Sequence, residues 1–93
     1  MAYVFAEDGP GHTVARFFFP SGNSMIEDPA TGSATANFGG WWLVMKHTTP
    51  AQIRISQGVQ VGRPSTLFLD VTAERLIRVG GDVIELGRGE IVL

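Results

Sequence analysis

Apolar and polar positions change their period twice along this chain. Tyr3–Ala6 is a short apolar run that predicts a first strand, and Glu7–His12 holds Gly9, Pro10 and Gly11, which mark a loop. Thr13–Phe19 is rich in β-branched and aromatic residues and stops at Pro20, so it reads as a second strand, with Ser21–Ser24 as a turn. From Ser33 to His47 the alternation disappears, and the length suits a helix of about four turns. Asp28, Pro29 and Thr31 stand ahead of it as cap and first-turn residues. Lys46 and His47 suit the negative end of its dipole, and Pro50 forbids continuation. Alternation then returns in Ile53–Gln57, Thr66–Thr72, Arg75–Val79 and Val83–Leu86, and Glu90–Leu93 closes the set. Gly80-Gly81-Asp82 and Gly87-Arg88-Gly89 read as hairpin turns between them.

The helical segment is apolar on nearly every side, with small residues in its first half and Trp41, Trp42, Leu43, Val44 and Met45 in its second. Such a helix is surrounded by protein. Trp41 and Trp42 point to different sides, and at least one belongs in the core. Gly39 and Gly40 each cost about 1 kcal/mol inside a helix, which calls for a compensating close approach of neighbouring backbone. The order of elements gives an α+β fold: a single antiparallel, barrel-like sheet wrapped around one central helix. One domain spans residues 1–93.

Composition narrows the partners. Hydrophobic residues make up 44% of the 93 positions, enough for a core and more than one small core easily hides. A second copy or a further lobe covering the excess is therefore expected. The net charge is −2 and the seven basic residues are dispersed, so no basic footprint for nucleic acid exists. The chain has no cysteine, which excludes disulfides, thiolate metal sites and thiol chemistry. Phe38–Met45 is its longest apolar stretch, far short of the ~20 residues that span a bilayer. Met1–Glu7 has no basic segment of a secretory signal, and a cytoplasmic protein is the expectation. His12 reads as an exposed loop residue and His47 as a dipole partner, too far apart to predict a metal site. Arg63 reads as the ion-pair partner of Glu27 or Asp70.

The chemistry is concentrated in Glu27–Ser33, EDPATGS. The first N–H groups of a helix lack internal partners and carry about half a positive charge. Gly32 lets a ligand approach them and Ser33 adds a hydroxyl, which makes a compact site for a carboxylate or phosphate. Thr31 completes it, and Asp28 beside it is placed to take or give a proton. The plainer reading is that Asp28 only caps a buried helix and Gly32 only permits packing.

Arg16-Phe-Phe-Phe-Pro20, a glycine turn, and Glu27-Asp-Pro-Ala-Thr-Gly-Ser-Ala34 together resemble the signature of the PhzF-like (phenazine-biosynthesis) isomerase family. Gln57-Gly58, Gly62-Arg63-Pro64-Ser65 and Val79-Gly80-Gly81 agree in order and spacing. The resemblance implies a diaminopimelate epimerase-like fold, in which two lobes each wrap a sheet around a helix and the active site lies between them. It also implies acid/base proton movement on small carboxylate-bearing substrates without cofactor or metal. Asp28, Gly32 and Ser33 match family active-site positions, and the chain corresponds to the C-terminal lobe only. The family's principal catalytic glutamate lies in the other lobe. On this resemblance the missing half is supplied by a second lobe or by a second copy in a homodimer. A non-catalytic anion-binding or assembly domain is the alternative.

Overall fold

The computed structural model describes all 93 residues. Strands β1 (Ala2–Glu7) and β2 (His12–Ser21) form a hairpin across the Gly9–Gly11 turn, and β3 (Ser24–Asp28) folds back on the second half of β2. Helix α1 (Gly32–Val44) follows, then a meander of β4 (Ala51–Gln57), β5 (Ser65–Val71) and β6 (Ile77–Gly81). All six strands make one mixed sheet, in the order β1-β2-β4-β5-β6, with β3 beside β2.

The expected wholly antiparallel barrel is corrected on two counts. β4 runs parallel to β2, with His12–Ala15 opposite Arg54–Gln57. Residues 22–50 intervene, and a crossover that long, carrying a helix, is what a parallel pairing needs. The sheet also does not close, because β1 and β6 remain edges. It curls around the helix all the same. The Phe5 ring of β1 lies 4.5 Å from that of Phe38, and a Cβ on Gly39 would stand 2.9 Å from Ile77 of β6. Both ends of the sheet thus reach α1.

Alternation decides what lies beneath the helix. Thr13 and Ala15 of β2, Ile53, Ile55 and Gln57 of β4, and Leu67, Leu69 and Val71 of β5 are buried, while their neighbours in sequence face away. α1 sets Ala34, Thr35, Phe38 and Gly39 against them. The helix is not enclosed: Val44 and Met45 are exposed, and Trp41, Trp42 and Leu43 are half-buried at the margin of the core. Phe38, 2% exposed, is the aromatic residue at the centre. Gly39 is explained by the Ile77 and Leu69 side chains rather than by backbone, and nothing approaches Gly40. α1 ends at Val44, three residues before the expected end at His47, with Lys46 in the left-handed region (φ 58°). His47 therefore lies beyond the helix, its ring 5.1 Å from Trp41 and 4.5 Å from Trp42.

The predicted strands Val83–Leu86 and Glu90–Leu93 do not form. Residues 82–93 have no regular structure and no ladder partner, and every residue from Ala73 onward is exposed.

On the face away from α1, Arg16 donates twice to Glu27, Nη2 to Oε1 at 2.7 Å and Nε to Oε2 at 3.1 Å, and its guanidinium lies 5.0 Å from the Phe18 ring centre. These hydrogen bonds hold the Glu27 carboxyl below the usual range; partial burial opposes them and the arginine charge adds to them. A carboxyl whose value falls on folding contributes stability above its unfolded value. That contribution is lost as pH falls through its folded value. Glu27→Gln is expected to lower the urea midpoint at pH 7, and the gap from wild type should close in acid, below the ordinary carboxylate range. A gap of equal size at pH 7 and pH 3 would contradict this.

Candidate functional site

β2 carries β1 on one edge and both β3 and β4 on the other. Phe17 faces Tyr3 and Asp28, whereas Thr13 faces Glu7 and Ile55. The ends of β3 and β4 therefore meet part-way along β2. Asp28 and Gln57 close the notch between them, and the chain turns there into α1.

A buried polar cluster fills this notch. The Gln57 side chain, 1% exposed, donates from Nε2 to the Asp28 carbonyl (2.8 Å) and to Thr31 Oγ1 (2.9 Å), and its Oε1 accepts from the Thr31 N–H (3.3 Å). The Thr31 hydroxyl donates to Asp28 Oδ2 at 2.6 Å. One glutamine thus satisfies three groups that would otherwise be costly to bury. Asp28 Oδ1 takes no protein hydrogen bond, and its residue is half-buried. Next to Gln57, Gly58 lies at φ +87°, against the Pro29 carbonyl and the Arg63 carbonyl.

Thr31 is the N-cap of α1, yet no side chain caps the helix. Its hydroxyl is committed to Asp28, and the Asp28 carboxylate is bonded to that hydroxyl instead of to the first amides. Simple capping by Asp28 is therefore not what the structure shows. The N–H groups of Gly32 and Ser33 have no acceptor in the chain, and both residues are exposed. Beneath them, Thr35 Oγ1 donates to the Thr31 carbonyl at 2.9 Å. The nearby Tyr3 hydroxyl is buried without a hydrogen-bond partner. Burial raises its pKa, and Thr35 opposes the rise, although the two hydroxyls do not meet in bonding geometry.

An open depression of about 500 Å³ adjoins the helix start. Ala30, Gly32, Pro64, Ser65, Gly80 and Asp82 contribute to its walls. Ala30 and Gly32 thus share the depression with Pro64-Ser65 and Val79–Gly81, while Asp28, Thr31, Ser33 and Gln57 lie outside its lining. Of the four predicted site residues, Gly32 lines it, and Asp28 and Thr31 are bonded to each other beside it.

Several single-residue expectations change. Arg63 pairs with neither Glu27, which Arg16 holds, nor Asp70; its backbone N–H donates to Gly58 and its carbonyl accepts from Ser65 Oγ. His12 is not an idle loop residue. It opens β2, half-buried, with Nε2 2.7 Å from Ser56 Oγ and Nδ1 3.3 Å from Asp8. The organising role of Gln57 is the feature that residue-type reasoning missed. Its signal was present: it falls on the inward phase of β4 with Ile53 and Ile55, and a glutamine there demands polar partners.

No group of His, Asp or Glu side chains is arranged to hold a metal ion. No helix is long and apolar enough to cross a membrane.

Comparison with known proteins places these features in a lineage. Residues 2–86 match the family model described as "phenazine biosynthesis-like protein". An uncharacterised isomerase of Pasteurella multocida is 48% identical over 77 residues, which cover 82% of this chain and 26% of that protein. One from Mesorhizobium japonicum is 33% identical, over 98% of this chain and 33% of its own length. Trans-2,3-dihydro-3-hydroxyanthranilate isomerase of Pseudomonas chlororaphis is 38% identical over 86 residues, 85% of this chain and 30% of that enzyme. The chain thus spans about a quarter to a third of the curated relatives it matches. No solved structure matches it. With a match that runs through every strand and the helix, the chain belongs to the phenazine biosynthesis-like protein family.

Proposed function

We propose that this chain is the proton-moving module of a phenazine biosynthesis-like isomerase, acting on a small carboxylate-bearing molecule held at the start of α1. The observation that carries this reading is the division of labour at the notch. Thr31 occupies one oxygen of Asp28 and leaves the other without a protein partner, while the Gly32 and Ser33 amides remain unpaired beside it. A substrate carboxylate would accept from those amides, with the helix dipole favouring its charge. Asp28 would exchange a proton with a neighbouring carbon, with Thr31 and Gln57 fixing its orientation. No step in this scheme calls for a cofactor or metal.

Trans-2,3-dihydro-3-hydroxyanthranilate, named in the Pseudomonas relatives, is the first substrate to try, and phenazine biosynthesis the first setting. Relatives named as isomerases favour this reading over a purely binding or assembly domain. By the family resemblance, a second lobe or a second copy completes the site.

The test is deuterium incorporation from D₂O into that substrate, followed by NMR. It uses the chain alone and the chain joined to the N-terminal two-thirds of the Pasteurella relative. Exchange is expected in the joined protein, reduced about a hundredfold or more by Asp28→Asn. Exchange that survives Asp28→Asn, or none in the unaltered joined protein, would overturn the assignment.

A further inference from the structure

Four polar residues are buried in this chain: Thr13, Thr31, Thr35 and Gln57. Three of them spend their side-chain polar atoms inside the protein. Thr31 bonds to Asp28, Thr35 to the Thr31 carbonyl, and Gln57 to both Asp28 and Thr31. A buried hydroxyl calls for a partner, yet that of Thr13 has none in the chain, although the residue is only 2% exposed. It is not sealed in as the Tyr3 hydroxyl is. Thr13 lines an open cavity of about 510 Å³ between the β1–β2 turn and the last turn of α1.

The residue opposite Thr13 in the β1–β2 ladder is Glu7, which lines the same cavity. Directly paired residues hold their Cβ atoms about 4.5–5.5 Å apart on one face of a sheet. That face is turned to α1, since Phe5, two residues before Glu7, packs on Phe38 and Trp41. The Glu7 carboxylate takes part in no ion pair. Two oxygen acceptors thus stand side by side at the cavity wall. Trp42 and Ile53 supply its apolar part, and no lysine or arginine lines it. α1 ends at this wall with the negative end of its dipole and without a basic residue in its last turn. Each of these features favours a positive charge.

We propose that this cavity binds a small primary ammonium ion with a short apolar body. The ammonium donates to the Glu7 carboxylate and to the Thr13 hydroxyl, and its carbon chain lies against Trp42 and Ile53. A quaternary ammonium has no N–H for the hydroxyl, and one carboxylate with one hydroxyl offers too few oxygens for a divalent metal. The cavity lies at the other end of α1 from Asp28, so this inference does not rest on the isomerase reading.

Titration of the chain with n-butylammonium chloride at neutral pH, followed by amide and indole NMR, tests it. Saturable shifts are expected at Gly9, Gly11, Thr13 and the Trp42 indole N–H, with a Kd of about 1–10 mM, which is what so few atoms allow. 1-Butanol has the same chain without the charge, and tetramethylammonium has the charge without N–H donors. Each should bind about tenfold more weakly or worse. Glu7→Gln, at an exposed position, should weaken binding by about tenfold or more. Thr13→Val should also weaken it, while Thr13→Ser, which keeps the hydroxyl, should bind like the wild type. Should Thr13→Val fail to fold, Glu7→Gln alone decides. The proposal is overturned by shifts that spare Thr13, by no saturable shift with butylammonium, by equal binding of 1-butanol or tetramethylammonium, or by undiminished binding in Glu7→Gln.

Discussion

Gly58→Ala is expected to unfold the chain at room temperature or bring it close to unfolding. The backbone at Gly58 has φ +87°, where an L-residue is strained by about 1–2 kcal/mol. The added methyl would then meet the Arg63 carbonyl inside contact distance, the Pro29 carbonyl at 2.6 Å and Pro29 Cα at 3.0 Å. All three are backbone atoms, so no side chain can rotate out of the way. Overpacking of this kind costs about 1–3 kcal/mol more. The total, about 2–5 kcal/mol, approaches the stability of a domain this small. Urea denaturation followed by Trp fluorescence should show a midpoint lowered by most of its value, or no folded baseline. A loss under about 1 kcal/mol would mean that the Pro29–Gly58 approach is looser than described.

Phe38→Ala should be nearly as damaging, at about 3–5 kcal/mol. Phe38 is the only large aromatic side chain that is fully buried. It stacks on Trp41 with centroids 5.5 Å apart and lies 4.5 Å from Phe5 and 6.4 Å from Trp42. Its removal leaves a cavity between β1 and α1 that no single neighbour can fill. Trp41→Ala, at a half-buried position, should cost less. Thermal melts of the two variants give the comparison, and a larger loss for Trp41→Ala would relocate the centre of the core.

This ranking reverses what the sequence suggests. Trp41 and Trp42 carry the largest apolar surfaces in the helix, and pattern alone makes one of them the centre. Periodicity reports which residues share a face, while depth depends on where the sheet ends, and here it stops short of the last helical turn. The same limit explains the tail. Val83–Leu86 has the alternation of a strand, but alternation states a preference and cannot supply a partner. β3 was overlooked for the opposite reason: Ser24–Asp28 has no β-branched run and is held by the register of β2. The parallel pairing of β2 with β4 was hidden because successive strands read naturally as hairpins. The start of α1 was legible, since Asp28, Pro29 and Thr31 are position-specific signals. What Asp28 does there was not, because that depends on Gln57, 29 residues away.

The notch in the sheet has a meaning for how freely this protein can change. Strand pairing divides it into two blocks, β1–β3 and β4–β6, each stitched from neighbours in sequence. The four residue pairs between His12–Ala15 and Arg54–Gln57 are the only ladder that joins them. Gln57 is the last rung of that ladder and also the residue that positions Asp28 and Thr31. The join between the blocks and the support of the carboxylate therefore meet in one residue, its backbone in the ladder and its side chain at the site. A substitution of the Gln57 side chain would release the Asp28 carbonyl and the Thr31 hydroxyl at the very end of the one ladder that joins the blocks.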